Sequence, residues 1–389
     1  MRKIKYRVSA AVFLLLSVPV LLGACRGTKI TELNERLIIE AIGVDIGSGG
    51  EYIVTVQAID SDSPASGGDS EDSQPLTKTL VFTGSSVGEA LNGISVHTGK
   101  TPLYSQARVL IVGFEAAKND IGKVLDFFLR EYTTRTDIFI AVSEKSAKEM
   151  LGASFEKNSI GATVIENALR SGEYTGRVVS IPLYKFVNLL LDDKSGAFCP
   201  VLSIQKEPLA DSCRVNCIGT ALFTDNGISA VMTPEQTRGL LFLIDKISSA
   251  DIPVKTDKGL FTLRVVSNKT KIKAPDSSGG AFAIKITTEC DITEFESTRF
   301  SKLTTNAVNE AQLACRDIIL EEARDAISFS YYRNNCDICR LERRRWLSSP
   351  TAYRAEFPDE ADNEKHFDTT ISVEVKIRRT GKETLGEEK

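Results

Sequence analysis

Residues 105–151 read SQARVLIVGFEAAKNDIGKVLDFFLREYTTRTDIFIAVSEKSAKEML, and this stretch alternates between two hydrophobic periods. QARVLIVG predicts a buried strand and TDIFIAVSE a second one, with the short helix SAKEML behind it. Between the strands, Asn119 and Asp120 form a cap-like start to a helix whose apolar residues share one face: Ile121, Val124, Leu125 and Phe128. Strands that alternate with helices indicate a sheet covered by helices.

The segments before this stretch extend the pattern. Residues 37–60 predict a hairpin in which two β-rich runs flank GSGG. Residues 61–75, SDSPASGGDSEDSQP, contain almost nothing to bury and predict a mobile loop. TKTLVFTG then returns to a strand. The serine-capped segment after it has helical spacing and ends near His97, which we expect at the surface.

The segments after it become richer in strands. Two helices, SIGATVIENALRSG and IPLYKFVNLLLDD, lead to a hairpin that turns at Asp225-Asn226-Gly227 and to a helix that begins at Pro234. Two strand-rich segments precede a long helix over 302–330, whose packed stripe we expect to comprise Ala307, Ala311, Ala314, Cys315, Ile318 and Ile319. Residues 369–380 alternate as a final strand does, with Ile371, Val373, Val375 and Ile377 on one face.

A chain of 389 residues suggests two or three domains, and the alternation of strands with helices indicates sheets covered by helices. A signal peptide would cover 1–24, and an N-terminal α/β domain with the mobile loop would cover 25–200. A middle hairpin-helix domain would cover 201–270. A C-terminal α+β domain would cover 271–389 and contain the long helix and the final strand.

The first 25 residues have the features of export and lipid attachment. MRKIKYR contributes four positive charges, and the uncharged run VSAAVFLLLSVPVLL follows it. That run is short for a transmembrane helix, which needs roughly 20 apolar residues. Leu22-Gly23-Ala24-Cys25 looks like a bacterial lipobox, so Cys25 is the predicted lipid-attachment site. An uncleaved signal anchor and a buried core helix are the alternatives.

Composition argues against nucleic acid as a partner. Hydrophobic content of 42% and charged content of 26% are those of an ordinary globular protein. Loss of residues 1–24 removes four positive charges and no negative ones, which changes the net charge from −4 to −8. A negative net charge favours neither nucleic acid nor anionic lipid as a partner. Acyl chains would therefore have to hold the protein at a membrane.

Seven cysteines remain apart from Cys25, and an odd number cannot all pair within the chain. They are Cys199, Cys213, Cys217, Cys290, Cys315, Cys336 and Cys339. Because exported proteins usually avoid loose thiols, this count hints at a reducing or anaerobic setting. The Cys213/Cys217 and Cys336/Cys339 pairs could supply four thiolates to zinc, form disulfides within either pair, or be inert.

No catalytic constellation accompanies these thiols. Glu40, Asp45 and Asp60 lie near the predicted sheet without a paired base or nucleophile, and the sequence contains no phosphate loop and no His-Glu-x-x-His. RLERRRW at 340–346 could contact phosphate headgroups or an acidic partner, or could be a solvated helix face. The sequence therefore predicts no catalytic or metal site, no cofactor and a function other than catalysis.

Four segments resemble the C subunit of bacterial spore germinant receptors, the Ger(x)C lipoprotein family. They are ACRGTKITELNERLIIEAIGVDIG at 24–47, the stretch at 105–151, IGTALFTDNGISAVMTPEQTRGLLFLI at 218–244 and ISVEVKIRRTG at 371–381. Two departures stand out. Arg26-Gly27 follows Cys25 where the family often has Trp-Asp. CDICRLERRRW at 336–346 replaces a glycine-containing stretch after the long helix, which puts in doubt any contact that the family makes there.

The resemblance implies an α+β, three-domain lipoprotein with mixed β-sheets packed by helices. It would be held by diacylglyceryl-Cys25 on the outer face of the spore inner membrane. Its expected partners are a membrane-spanning A subunit and a transporter-like B subunit, in a complex that senses nutrients and triggers germination. A stand-alone ligand-binding lipoprotein is the main alternative, and a thiol or zinc protein that uses Cys336 and Cys339 is a second. Neither the nutrient nor the surface that meets the partners can be read from the sequence.

Overall fold

The computed structural model describes residues 35–59, 77–131, 133–155, 159–225, 227–276, 279–297, 303–357 and 366–380. The predicted signal peptide, Cys25, Asp60 and the predicted mobile loop lie outside the described residues.

The first sheet combines parallel and antiparallel strands from the first 232 residues. Its strands run in the order β3-β2-β1-β5-β6-β7-β8-β9, with the short β4 paired to the start of β1. The neighbours from β1 through β7 are parallel, and the strands at both flanks are antiparallel. The strands are β1 Arg36–Ile46, β2 Tyr52–Ile59, β3 Thr77–Gly84, β4 Thr101–Leu103, β5 Val109–Gly113, β6 Phe139–Ser143, β7 Ala197–Lys206, β8 Cys213–Thr224 and β9 Gly227–Met232.

Helices cover both faces of this sheet. On β5, Leu110 and Val112 face one core and Val109 and Ile111 face the other, because successive side chains of a strand point to opposite faces. The first core also contains α1 Val87–Thr98, α2 Phe114–Arg130 and α6 Leu183–Leu190; the second contains α3 Ala147–Gly152 and α4 Gly161–Arg170. The one-turn helix α5 Gly172–Thr175 lies between α4 and α6.

The second sheet has the order β10-β11-β12-β13, with the last pair parallel. Its strands are β10 Ala250–Thr256, β11 Gly259–Lys273, β12 Phe282–Ser297 and β13 Thr369–Arg379. The long helix α8 Thr305–Ile327 packs on this sheet and against α7 Pro234–Leu243, and α7 also contacts β8 of the first sheet. A wider helical turn, Ser328–Arg333, continues α8, and α9 Leu341–Ser348 and α10 Pro350–Glu356 follow.

The α+β class with mixed sheets packed by helices is confirmed, as are most predicted elements. Ser86 caps α1 by accepting a hydrogen bond from the backbone N–H of Glu89, and Thr233 caps α7 with Pro234 at its first position. On α8, four predicted stripe residues are buried, namely Ala307, Ala311, Cys315 and Ile319, and Ala314 and Ile318 are half-buried. The helix is shorter at both ends than the predicted 302–330, because Thr304 caps its start before Thr305 and the wider turn begins at Ser328.

The predicted helix start at Asn119-Asp120 is a kink inside a longer helix. α2 begins at Phe114, and Asp120 interrupts it with an extended backbone conformation. The Asp120 carboxylate accepts a hydrogen bond from the backbone N–H of Lys123 at 3.3 Å, as a helix cap does. The cap-like signal was therefore real, but the helix had already formed one turn earlier.

The predicted domain boundaries fall within strands. Residue 200 lies in β7 and residue 270 in β11, and β8 and β9 extend the sheet that β1 begins. The division of the chain into three folding units stays a prediction.

Candidate functional site

The two sheets meet at residues 336–346, which we call the junction segment. Its first residue, Cys336, is buried with its sulfur 3.6 Å from the carbonyl oxygen of Ala197 and 3.8 Å from that of Phe223. The backbone N–H of Gly196 donates to the carbonyl oxygen of Asp337 at 2.9 Å. The segment that follows α8 thus packs on the ends of β7 and β8.

Charged side chains reinforce this contact around Asp192. Arg340 donates to Asp192 at 3.1 Å and to the Ser195 hydroxyl at 3.1 Å, and Arg343 donates to Asp192 at 2.9 Å. Burial opposes ionisation of Asp192, but hydrogen bonds from Ser195 and the Lys194 backbone, with the two guanidinium groups, outweigh it and lower its pKa. A partly buried carboxylate with two cationic partners stays ionised at neutral pH.

The other arginines of the basic run also bind groups of the same chain. Arg344 donates to the carbonyl oxygen of Cys339 at 3.1 Å. Arg345 is buried and donates to Glu356 at 2.6 and 3.0 Å and to the carbonyl oxygen of Pro275 at 3.1 Å. The sequence suggested that this basic run could contact phosphate or an acidic partner. In the structure, its arginines bind other parts of the same chain.

Asp337 lies buried at the centre of the junction segment. One of its carboxylate oxygens accepts a hydrogen bond from the backbone N–H of Glu342 at 2.9 Å, and the other has no partner among the described residues. Burial raises the pKa of Asp337 to about 6, with a further contribution from the negative charge of Glu342. Sequence reasoning missed this residue, because no local pattern shows that an aspartate between two cysteines will be desolvated.

The structure does not bring the two predicted thiol pairs together. Cys336 lies against Phe223, six residues along β8 from Cys217, which corresponds to about 20 Å at the rise of a strand. All seven cysteines of the described part of the chain are free thiols. Burial raises the pKa of Cys336 to about 12 and that of Cys217 to about 11, so the thiolates that metal binding or nucleophilic attack requires are suppressed.

The carboxylates noted in the sequence have structural partners. Both oxygens of Asp45 accept backbone hydrogen bonds at the start of α3, from Ala147 at 2.8 Å and Lys148 at 2.9 Å. Burial nevertheless raises the pKa of Asp45. Glu40 pairs with Arg108 at 2.6 Å. His97 is exposed at the end of α1, as expected, with its ring 6.1 Å from that of Phe82.

A cleft of about 560 Å³ opens beside the junction segment. Its walls come from three separate stretches, namely residues 178–198 around α6, residues 241–248 at the end of α7, and Arg340. The added Cβ of an alanine at Gly176 would lie 2.7 Å from the Ala250 side chain and 3.0 Å from Ile247, which shows how closely the first two stretches approach. No motif marks the cleft, because its walls are far apart in sequence.

Comparisons with known proteins agree with this architecture. Residues 29–204 match the family described as the spore germination protein N-terminal domain. Residues 218–381 match the family described as spore germination B3/GerAC like, C-terminal. The two matches together cover most of both sheets, the junction segment and the residues that line the cleft.

Two curated proteins of Bacillus subtilis (strain 168) are similar in sequence. Spore germination protein KC is 24% identical over 305 residues, which are 72% of this chain and 73% of that protein. The putative spore germination protein YfkR is 21% identical over 223 residues, 56% of each chain. The crystal structure of the GerBC protein has the same fold, with a TM-score of 0.55 at 15% identity, and the match covers 86% of this chain and 96% of GerBC. The chain belongs to the Ger(x)C family of spore germination proteins.

Proposed function

We propose that this protein is a non-enzymatic lipoprotein subunit of a nutrient germinant receptor that triggers bacterial spore germination. The observation that carries the proposal is the match of both halves of the chain to spore germination domains. Its partners would be a membrane-spanning A subunit and a transporter-like B subunit on the spore inner membrane.

Anchoring through diacylglyceryl-Cys25 on the outer face of that membrane is supported by the charged and apolar run before Leu22-Gly23-Ala24-Cys25. Among the described residues, no helix is both long and apolar enough to span a bilayer. Two acyl chains would confine the folded part to the surface, which raises its effective concentration beside its partners.

A role in thiol or zinc chemistry loses support from the geometry of the cysteines. The two pairs lie far apart on β8 and the junction segment, and their raised pKa values disfavour thiolates. The polar groups at the junction hold the chain together instead of converging on a reacting atom, which supports a scaffold function.

The receptor assignment is tested by affinity isolation of the chromosomally tagged protein from detergent-solubilised spore membranes, followed by mass spectrometry. We expect a polytopic A-type subunit and a transporter-like subunit to be recovered with it. Recovery of this protein alone, from membranes in which a second tagged complex stays intact, would contradict the assignment.

The anchor is tested separately with Cys25→Ala. We expect this variant to remain as an uncleaved precursor and to lose metabolic labelling with a radioactive fatty acid. Cys213→Ala is the matched control, because Cys213 is a free, half-buried thiol on β8 and its loss should leave labelling unchanged. Continued labelling of Cys25→Ala would show that lipid is attached elsewhere.

A further inference from the structure

The cleft beside the junction segment has the composition of a ligand site. Its volume of about 560 Å³ lies within the usual range of roughly 300–1,000 Å³ for small-molecule sites. The buried part of its wall is apolar and comprises Val178, Val179, Ile181, Phe198, Leu241 and Ile247. Such a wall favours a ligand with an apolar body, since burying that body removes apolar surface from water.

Cations dominate the rim of the cleft. Lys185 lies on α6, Lys246 follows α7, and Arg340, which pairs with Asp192, immediately precedes α9. Among the described residues, neither lysine ammonium forms an ion pair with a carboxylate, and Lys185 lies 5.8 Å from the Tyr184 ring. In a chain with a net charge of −4, this local excess of positive charge is not a consequence of overall composition.

The acidic group at the rim, Asp245, is held against β11 through its Oδ1 atom. Asp245 accepts hydrogen bonds from the side-chain amide of Asn268 at 3.0 Å and from the backbone N–H of Thr270 at 3.1 Å, both on β11. Three carbonyl groups in the last turn of α7 also have partners: Leu240 accepts from the backbone N–H of Ile244, Leu241 from that of Lys246, and Phe242 from the Thr270 hydroxyl. The rim therefore carries two lysine ammonium groups as charged donors and the single carboxylate of Asp245.

A second cleft, of about 680 Å³ beside the β7–β8 turn, lacks this character. Its charged lining residues, Glu207 and Arg214, pair with each other at 3.7 Å. Of these two clefts, the one at the junction combines an apolar wall with lysines that form no ion pair among the described residues. This comparison selects it as the site.

We propose that the cleft formed by α6, the end of α7 and Arg340 binds a small molecule with an apolar body and one carboxylate, which Lys185 and Lys246 recognise. The cleft belongs to this chain alone. Binding can therefore be measured without the other receptor subunits, and a failure to bind would leave the proposed receptor role untouched.

The test uses the full-length, detergent-solubilised protein and three probes that share one apolar body. Calorimetry would compare 4-phenylbutyrate, 4-phenylbutan-1-ol and 4-phenylbutylamine. We expect saturable binding of the carboxylate, at least about tenfold tighter than the alcohol, because charge-assisted hydrogen bonds from two ammonium groups are lost in the alcohol. The amine should bind more weakly than the alcohol. Equal binding of all three probes, tighter binding of the amine, or no saturable binding of the carboxylate would overturn the proposal.

Variants assign the binding to this cleft. Lys185→Gln and Lys246→Gln should each weaken the carboxylate about fivefold and leave the alcohol unchanged. Both lysines are exposed, so these variants keep the core intact. Lys376→Gln is the matched control, since Lys376 is exposed on β13 and does not line the cleft. Equal weakening by Lys376→Gln, or no weakening by either cleft variant, would overturn the assignment. Leu189→Trp places a larger side chain on the wall and should abolish binding of both 4-phenylbutyrate and 4-phenylbutan-1-ol. Unchanged binding would contradict the placement of the ligand in this cleft.

Discussion

Replacing Asp337 by asparagine should change how the stability of this protein depends on pH. Asp337 is only 8% exposed, one of its carboxylate oxygens has no partner among the described residues, and its pKa is raised from 3.8 to about 6. Because the pKa is higher in the folded protein, the folded state binds the proton more tightly than the unfolded state does. The stabilisation from this proton is fully present below pH 3.8 and is lost as the pH rises through about 6.

The magnitude follows from the shift of about two pKa units. At 1.36 kcal/mol per unit, ionisation of Asp337 costs about 3 kcal/mol of folding free energy at pH 7. Asparagine keeps an oxygen for the backbone N–H of Glu342 and carries no charge. Because part of the stabilisation is already lost at pH 4, Asp337→Asn should gain about 2 kcal/mol relative to the unmodified protein between pH 4 and pH 7.

Urea unfolding at a series of pH values would measure this difference. The single tryptophan, Trp346, is half-buried in α9 within the junction segment, so its fluorescence reports on this part of the fold. The comparison must be made between variants, because carboxylates with lowered pKa values, such as Asp192, act in the opposite direction. The control is Asp257→Asn, in the exposed β10–β11 turn. Its difference in unfolding free energy from the unmodified protein should not change with pH. A flat or inverted difference for Asp337→Asn would refute the reasoning.

Two further predictions concern the packing of the two halves. Arg238→Met should destabilise the protein by about 3 kcal/mol in urea unfolding, because it leaves Glu322 of α8 charged and poorly hydrated. The control is Arg316→Met, which removes an exposed ion pair and should change the stability by less than about 1 kcal/mol. If the double variant Arg238→Met/Glu322→Leu loses as much as the single one, the buried charge is not the cause. Gly196→Ala should cost about 2 kcal/mol, since its Cβ would meet the sulfur of Cys336 and lie 2.7 Å from the backbone nitrogen of Asp337. Gly152→Ala, with open space around it, should be neutral or slightly stabilising, and equal losses for both would argue against a tight contact at Gly196.

Local patterns in the sequence predicted most helices and strands because their causes are local. Ser86 and Thr233 cap helices within three residues of themselves, and the alternation on β13 needs only its own side chains. Strand partners are different. β6 pairs with β7 across more than fifty residues that contain several helices, and hydrophobic period does not reveal which strand a given strand will pair with. The membership of β8 and β9 in the first sheet could not be predicted for this reason.

The candidate site was beyond sequence reasoning for the same physical cause. Asp192 and Arg340 are separated by 148 positions, so neither residue predicts the other. The basic run suggested an external partner because its internal partners, Asp192 and Glu356, could not be identified without the fold. The odd number of cysteines suggested a reducing setting, and that stays a prediction. Five of the seven are buried, where a thiol packs as a small apolar side chain.

At Arg340, the effect of the backbone conformation on stability can be measured separately from the effect of the side-chain contacts. The Arg340 φ of 56° lies in the left-handed region that favours glycine. Holding a residue with a side chain there costs about 1 kcal/mol relative to glycine.

Arg340→Gly should therefore be about 1 kcal/mol more stable than Arg340→Ala in urea unfolding, because both lose the contacts with Asp192 and Ser195 but only alanine keeps the strain. Both variants should weaken binding of 4-phenylbutyrate equally, since the guanidinium at the rim is lost in each. Equal stability of the two variants would show that the backbone relaxes around alanine. The arginine would then hold the junction through its side chain without a conformational cost.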